Sequence, residues 1–175
     1  MQAETKVKPA IHTTRFFALK RDMQIYVDAD ACPVKDAVVR VAERHQTPVL
    51  LVSNAWMRGP DHPLVQRFTV NNNPDAADDW IAERVTDRDI VITSDIPLAA
   101  RCVAKGAKIL RPNGKPLDQD SISMALAMRN LHTHLRETGE ITSGPAPFQK
   151  QDRSRFLDAL ETAIQAIKRR KDLTC

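Results

Sequence analysis

Apolar positions along this chain fall into two alternating rhythms. Ile25-Tyr26-Val27, Val49-Leu50-Leu51-Val52 and Ile90-Val91-Ile92 are short unbroken runs rich in β-branched residues. A strand buried on both faces of a parallel sheet reads this way. Between the runs, apolar residues recur at three- and four-residue spacing, as a helix with one buried face requires. The pattern predicts strands over 24–28, 49–52, 89–93 and 107–110, and a weaker strand over 66–70. It predicts helices from Pro33 to about Gln46, from Asp75 to about Thr86, from Pro97 to Lys105, over 119–137 and over 152–170. Pro33 suits a first helical position, and Gly106 suits the residue just past a helix end. In the last helix, Phe156, Leu157, Leu160, Ile164 and Ile167 form one core-facing stripe. Strands alternating with helices imply an α/β domain of three layers. Its mostly parallel sheet should have four or five strands joined by right-handed crossovers.

The chain has 175 residues, enough for one domain with a substantial core. Residues 1–22 lack a clear period and are expected to be a disordered extension, leaving 23–175 as a single domain. Gly139 to Pro147 reads as a Gly/Pro-rich loop between the last two helices. No apolar run approaches the roughly 18 residues of a membrane span. No signal-peptide core is present either, so a cytoplasmic protein with no membrane partner is expected. The net charge of +4 suggests nucleic acid at first sight. The basic excess, however, sits in residues 1–22 and 149–175, and the body between them is slightly acidic. The C-terminal segment is therefore the one plausible electrostatic footprint. Cys32, Cys102 and Cys175 are too few and too scattered for a disulfide framework or a zinc site. Cys32, near a helix start, is better read as a small buried residue than as a reactive thiol. Nothing in the pattern specifies an oligomeric state.

The candidate chemistry lies in carboxylates at strand ends. Asp28 and Asp30 close the first run, and Thr93-Ser94-Asp95 closes the run over 89–93. Ligands of open α/β sheets bind outside the carboxyl ends of the strands. Acids from two such ends can share a hard cation such as Mg²⁺. If the chain stays extended, Asp28 and Asp30 point to one side. Their alternative is a turn role. Asp75 and Asp78 stand at a helix start, where Asp75 is also a good N-cap and the pair resembles a capping box. Asp95 is equally an N-cap for the helix containing Pro97. Thr93, Ser94 and Asn54 are accessory candidates, as turn residues or as polar groups beside a site. His132 and His134 face different ways on a helix, and His45 and His62 are isolated in the sequence. Neither a Gly-rich phosphate loop nor a nucleophile elbow occurs, which excludes the common nucleoside-triphosphatase and serine-hydrolase designs.

Val27-Asp28-Ala29-Asp30-Ala31-Cys32-Pro33 resembles the N-terminal signature of the YaiI/YqxD family of bacterial proteins. Asp75-Ala76-Ala77-Asp78, Asp89 through Ala99, Lys105-Gly106-Ala107, Leu126 through Arg129, Gly144 through Phe148, Asp152-Arg153 and Arg155-Phe156 resemble its later blocks, in order. The likeness runs from about Met23 to about Ile167. The family is generally grouped with PIN-like domains, many of which are ribonucleases that gather acids around Mg²⁺ or Mn²⁺. The resemblance therefore implies a PIN-like fold. It matches Asp28 or Asp30 to the first acid, Thr93-Ser94-Asp95 to the strand-end pattern, and Asp75 or Asp78 to the helix acid. A fourth acid has only positional candidates, Asp118 and Asp120.

These observations lead to one preferred expectation and two others. The first is metal-dependent hydrolysis of RNA phosphodiester bonds. Asp28, Asp30 and Asp95 would hold Mg²⁺ or Mn²⁺, with Asp75 or Asp78 as outer ligand or water-orienting base. The second is a haloacid-dehalogenase-like phosphatase with Asp28 as nucleophile. The third is a non-catalytic module that binds metal or RNA.

Overall fold

A computed structural model describes residues 23–30, 32–71, 73, 75–138 and 147–172 of the chain. The expected extension over 1–22 and most of the Gly139–Pro147 loop lie outside the described residues. The strands are β1 (Ile25–Asp28), β2 (Val49–Ser53), β3 (Val65–Thr69), β4 (Ile90–Ile92), β5 (Lys108–Leu110) and β6 (Pro116–Leu117). The helices are α1 (Lys35–His45), α2 (Ala76–Arg84), α3 (Ile96–Ala104), α4 (Gln119–Glu137) and α5 (Lys150–Asp172). The α/β architecture expected from the pattern is present, in a sheet ordered β3-β2-β1-β4-β5-β6.

The strands β1 to β5 are parallel. The sheet has six strands rather than four or five, because β6 pairs antiparallel with β5. β6 is two residues long and begins with Pro116, too short to carry a periodic signal. Proline suits such an edge, since a missing N–H costs nothing where no neighbour follows. The sequence also places α1 two residues early. Pro33 stands in the turn before Lys35, and Val34 holds the N-cap position.

Alternation along the strands divides the core into two layers. Ile25, Val27, Val49, Leu51, Ile90 and Ile92 face one side, with Val38, Val41, Phe156, Leu160 and Ile164 of α1 and α5 over them. Tyr26, Leu50, Val52 and Val91 face the other, under Trp80, Ile81, Leu98 and Cys102 of α2 and α3. The stripe expected of the last helix is thus core packing. His45, isolated in the sequence, is tied to that helix in space. Its Nε2 lies 2.7 Å from Glu161 Oε1, which joins α1 to α5. His62 likewise stands 3.8 Å from Glu43.

The β5–β6 hairpin turns through Gly114, at φ +81. A Cβ there would lie 2.5 Å from the Arg155 carbonyl carbon and 2.6 Å from the Phe156 nitrogen. The turn is therefore pressed onto the backbone of α5. Gly114→Ala is expected to cost at least about 2 kcal/mol, from a left-handed backbone and a clash with main chain that cannot rotate away. Urea denaturation of the variant would read this as a lower midpoint at unchanged slope.

Candidate active site

The connection from β3 to β4 crosses β1, so the direction of winding reverses between β1 and β4. At such a reversal α/β sheets characteristically leave a crevice at the carboxyl ends of the strands and bind ligands there. The chain ends β1 with Asp28 and leaves β4 through Thr93-Ser94-Asp95. β1 and β4 are hydrogen-bonded neighbours, with Tyr26 beside Val91 and Val27 beside Ile92. Continuing that register sets Asp28 and Thr93 together. The buried Thr93 hydroxyl donates to Asp28 Oδ2 at 2.9 Å. The Thr93 hydroxyl oxygen in turn accepts the Asp95 N–H at 2.9 Å, which fixes the turn into α3.

Asp95 caps α3, as one of its two expected roles requires, because its Oδ1 accepts the Leu98 N–H at 2.8 Å. It also acts on the carboxylates around it. Burial pushes the Asp28 carboxyl up, the Thr93 hydroxyl draws it back, and Asp30 and Asp95 add to the rise. α2 lies on the same face of the sheet as Asp28 and brings Asp78 to the group. Burial, then Asp95, Asp28 and Asp75, push Asp78 up to about 6, against the pull of Arg101. Asp28, Asp78 and Asp95 thus form an electrostatically coupled set drawn from three elements, with Asp30 and Asp75 at its margin.

The marginal acids differ from their sequence expectations. β1 stops at Asp28, so the alternation that would align Asp30 with it ends there. Ala29 turns into the α1/α5 layer, and Asp30 is exposed in the turn beyond. Its Oδ2 accepts the Asn54 N–H at 3.0 Å. Asp75 occupies the N-cap position of α2, yet its side chain makes no capping hydrogen bond. Asn54 does this instead, across the fold, its Oδ1 accepting the Ala77 N–H at 3.0 Å. Asn54 therefore clamps the Asp30 turn, the loop after β2 and the start of α2. Ser94 is exposed.

Asp118 and Asp120 are removed from the candidates by topology. β6 runs against the parallel strands, so the chain after Leu117 emerges at their amino ends, opposite the crevice. Asp118 there exchanges hydrogen bonds with Ser121 at the start of α4. Asp89 is a buried structural acid. Its oxygens accept the Gln24 N–H and the Thr86 N–H and hydroxyl, at the amino end of β4. Arg101 was not singled out by sequence. It pairs with Asp79 at 2.8 Å and faces Asp78. A single charge within the otherwise apolar helix Ile96–Ala104 was its available signal. Cys32 and Cys102 are buried free thiols whose pKa values burial raises, which agrees with a packing role.

The raised pKa of Asp78 gives a sign to the pH dependence of stability. The folded chain holds this proton up to about pH 6, whereas the unfolded chain releases it near 3.8. The associated stability is present below the lower value and is lost as pH rises through the upper one. Asp28, also raised, works in the same direction. Between pH 4 and pH 7 the wild-type melting temperature should fall relative to that of Asp78→Asn. The difference should correspond to about 1 kcal/mol, discounted for the partial exposure of Asp78. Parallel thermal melts of the two proteins measure it.

The donor set consists of carboxylate oxygens, with no thiolate or imidazole among them, and its chemistry fits a hard cation such as Mg²⁺ or Mn²⁺. Among the described residues, no three His, Cys, Asp or Glu side chains already stand in the arrangement of a metal centre. The convergence is one of charge.

Fold and site define an α/β protein with an acidic cleft at the switch point of its sheet. Residues 26–166 match the profile described as "Uncharacterized BCR, YaiI/YqxD family". A UPF0178 protein of Rhodopseudomonas palustris strain TIE-1 is 60% identical over 148 residues, covering 85% of this chain and 94% of the relative. A UPF0178 protein of Parvibaculum lavamentivorans is 60% identical over 147 residues, covering 84% and 97%. The chain belongs to the YaiI/YqxD family. No solved structure matches it. Among the described residues no helix is long and apolar enough to cross a membrane.

Proposed function

We propose that this chain hydrolyses phosphodiester bonds in single-stranded RNA with the help of Mg²⁺ or Mn²⁺. The observation that carries this is the set of three carboxylates, Asp28, Asp78 and Asp95, at the β1/β4 switch point, where the charge of Asp95 helps raise the pKa of both Asp28 and Asp78. Like charges gathered in one place are costly, and sites that bind ions or run acid–base chemistry justify that cost. The resemblance to PIN-like ribonucleases supports RNA as the substrate.

Asp28 and Asp95 would hold the cation, with Asp30 beside them. The cation would supply Lewis acidity toward the phosphoryl oxygens and a lowered pKa for bound water. The protein's own part is orientation and proton transfer. The Thr93 hydroxyl fixes one oxygen of Asp28 and the turn into Asp95. The Leu98 N–H holds Asp95 Oδ1, which leaves Oδ2 for the cleft. Asp78, with a pKa of about 6, is suited to accept a proton at its carboxylate from the attacking water near neutral pH. Asn54 holds the walls of the cleft together.

The test is a titration of melting temperature with Mg²⁺ and Mn²⁺, beside a cleavage assay on labelled single-stranded RNA. A rise in melting temperature with metal and metal-dependent cleavage are expected. Absence of any metal response refutes the cation site. A metal response without cleavage favours a binding module. Phosphate left covalently on Asp28 favours a phosphatase of the haloacid-dehalogenase kind.

A further inference from the structure

The loop after β2 carries an aromatic ring that the fold does not use. Trp56 is 81% exposed, whereas Trp80 is packed in the core. An indole offers one of the largest apolar surfaces a side chain can bury, and leaving it in water forgoes that gain. The exposure does not come from a slack loop. Ser53 Oγ donates to the Ala55 carbonyl at 2.7 Å, and Asn54 is bonded on both sides, to Asp30 and to Ala77. Met57, the next residue after Trp56, packs against the α1/α5 layer. The Gly59 carbonyl accepts from Arg67 at 3.4 Å. The backbone is therefore pinned before and after Trp56, and the ring is held outward between the two anchors.

Its position is equally specific. The loop leaves the carboxyl end of β2, the neighbour of β1. Trp56 lies two residues beyond Asn54, so their Cα atoms are at most about 7 Å apart. Asn54 itself touches the Asp30 turn at the rim of the acidic cleft. Arg58 is exposed on the same loop. A rigid aromatic beside a cation-dependent cleft, with a basic side chain close by, matches how single strands are held. Bases stack on the ring and the phosphates meet the positive charge.

We propose that Trp56 is a stacking platform for a nucleobase of single-stranded RNA, next to the phosphodiester that enters the carboxylate cleft, with Arg58 drawing the adjacent backbone phosphate. This rests on the RNA reading of the cleft and adds to it a base-binding subsite. Trp56 is a positioning residue that sets the strand against the acids. The ring tolerates any base, since every base offers a π-face.

The experiment separates binding from chemistry. Anisotropy with fluorescein-labelled oligo-U and oligo-A is read in EDTA, on the full chain, for Asp28→Asn alone and combined with Trp56→Ala or Trp56→Phe. Trp56→Ala should weaken binding by about 10- to 100-fold, and Trp56→Phe should recover most of it. Unlabelled RNA should quench tryptophan emission in the protein with Trp56, and this quench should vanish in Trp56→Phe, where only the buried Trp80 emits. With Asp28 intact and metal present, Trp56→Ala should raise KM and leave kcat nearly unchanged. Cleavage that is indifferent to Trp56, or RNA binding without quench, overturns the platform and leaves the hydrolase reading standing. Trp56-dependent binding without cleavage by the wild type does the reverse. Single-stranded DNA bound as well as RNA keeps the platform and removes the RNA preference. No binding of either polymer overturns the platform, as does capture of a protein partner at Trp56, and the hydrolase reading is then judged by wild-type cleavage with metal.

Discussion

Asp28→Asn is expected to reduce metal-dependent RNA cleavage by at least about 100-fold and to abolish the rise of melting temperature with Mg²⁺ or Mn²⁺. Loss of an outer partner of a metal ligand typically costs 10- to 100-fold, and a direct ligand costs more. The substitution is informative because the fold should survive it. Asparagine keeps an oxygen to accept the Thr93 hydroxyl, which is the contact Asp28 makes here. It also removes a carboxylate that burial and its neighbours push toward protonation, so the metal-free variant should melt at the wild-type temperature or slightly above it. Asp95→Asn should behave alike, since the amide oxygen can still cap Leu98. Asp95→Ala would confuse the result by also losing a cap worth about 1 kcal/mol. Thermal melts with and without metal, beside single-turnover cleavage, measure both effects. If Asp28→Asn cleaves like the wild type, the acidic cleft is not the catalytic centre.

Deleting residues 150–175 should leave a chain that does not fold cooperatively. The deletion removes Phe156, Leu160, Ile164 and Ile167, all buried in the α1/α5 layer. Each such side chain contributes about 1.5–3 kcal/mol. Their sum is about 6–12 kcal/mol, comparable to the whole margin of about 5–15 kcal/mol that holds a domain folded. One face of the sheet would be left uncovered over Ile90, Ile92 and Leu110. Far-UV circular dichroism through a thermal ramp should show no sharp transition. A gentler variant, Phe156→Ala, should fold but lose about 3–5 kcal/mol. A truncated chain with a sharp transition at the wild-type temperature would show that α5 is dispensable.

Legibility in the sequence followed the range of the interactions involved. β1, β2 and β4 were clear because strands buried on both faces need unbroken apolar runs. α4 stands at Gln119–Glu137, the span expected of it, and Asp118 with Ser121 closes its start through a local contact that the sequence reading did not use. The pairing of β1 with β4, which sets Asp28 beside Thr93, was not legible, since parallel strands alone do not say which two are neighbours. The direction of Asp30 was not legible, because β1 ends at Asp28 and strand alternation no longer sets it in the exposed turn beyond. Asn54 in the place of the Asp75 cap was not legible, since that bond joins positions 23 residues apart and only the fold brings them together. The choice of Asp78 over Asp75 depended on how α2 is rolled on the sheet. Burial of Ala77, Trp80 and Ile81 sets that roll, and it turns Asp78 toward Asp28 while Asp75 stays exposed.

The sheet also acts as a partition. Ile25 and Val27 of β1, with Ala29 just beyond it, belong to one apolar layer, and Tyr26 to the other. Asp28 shares the parity of Tyr26, so the acidic cleft belongs to the α2/α3 side. Packed layers stand about 10 Å apart, and substitutions separated by such distances combine additively to within about 0.5 kcal/mol. Double-mutant cycles between the α1/α5 layer and the cleft should therefore close near zero. The α1/α5 side then serves as an independent reserve. Replacements that harden it can offset destabilising changes in the cleft, such as loss of the Asp95 cap.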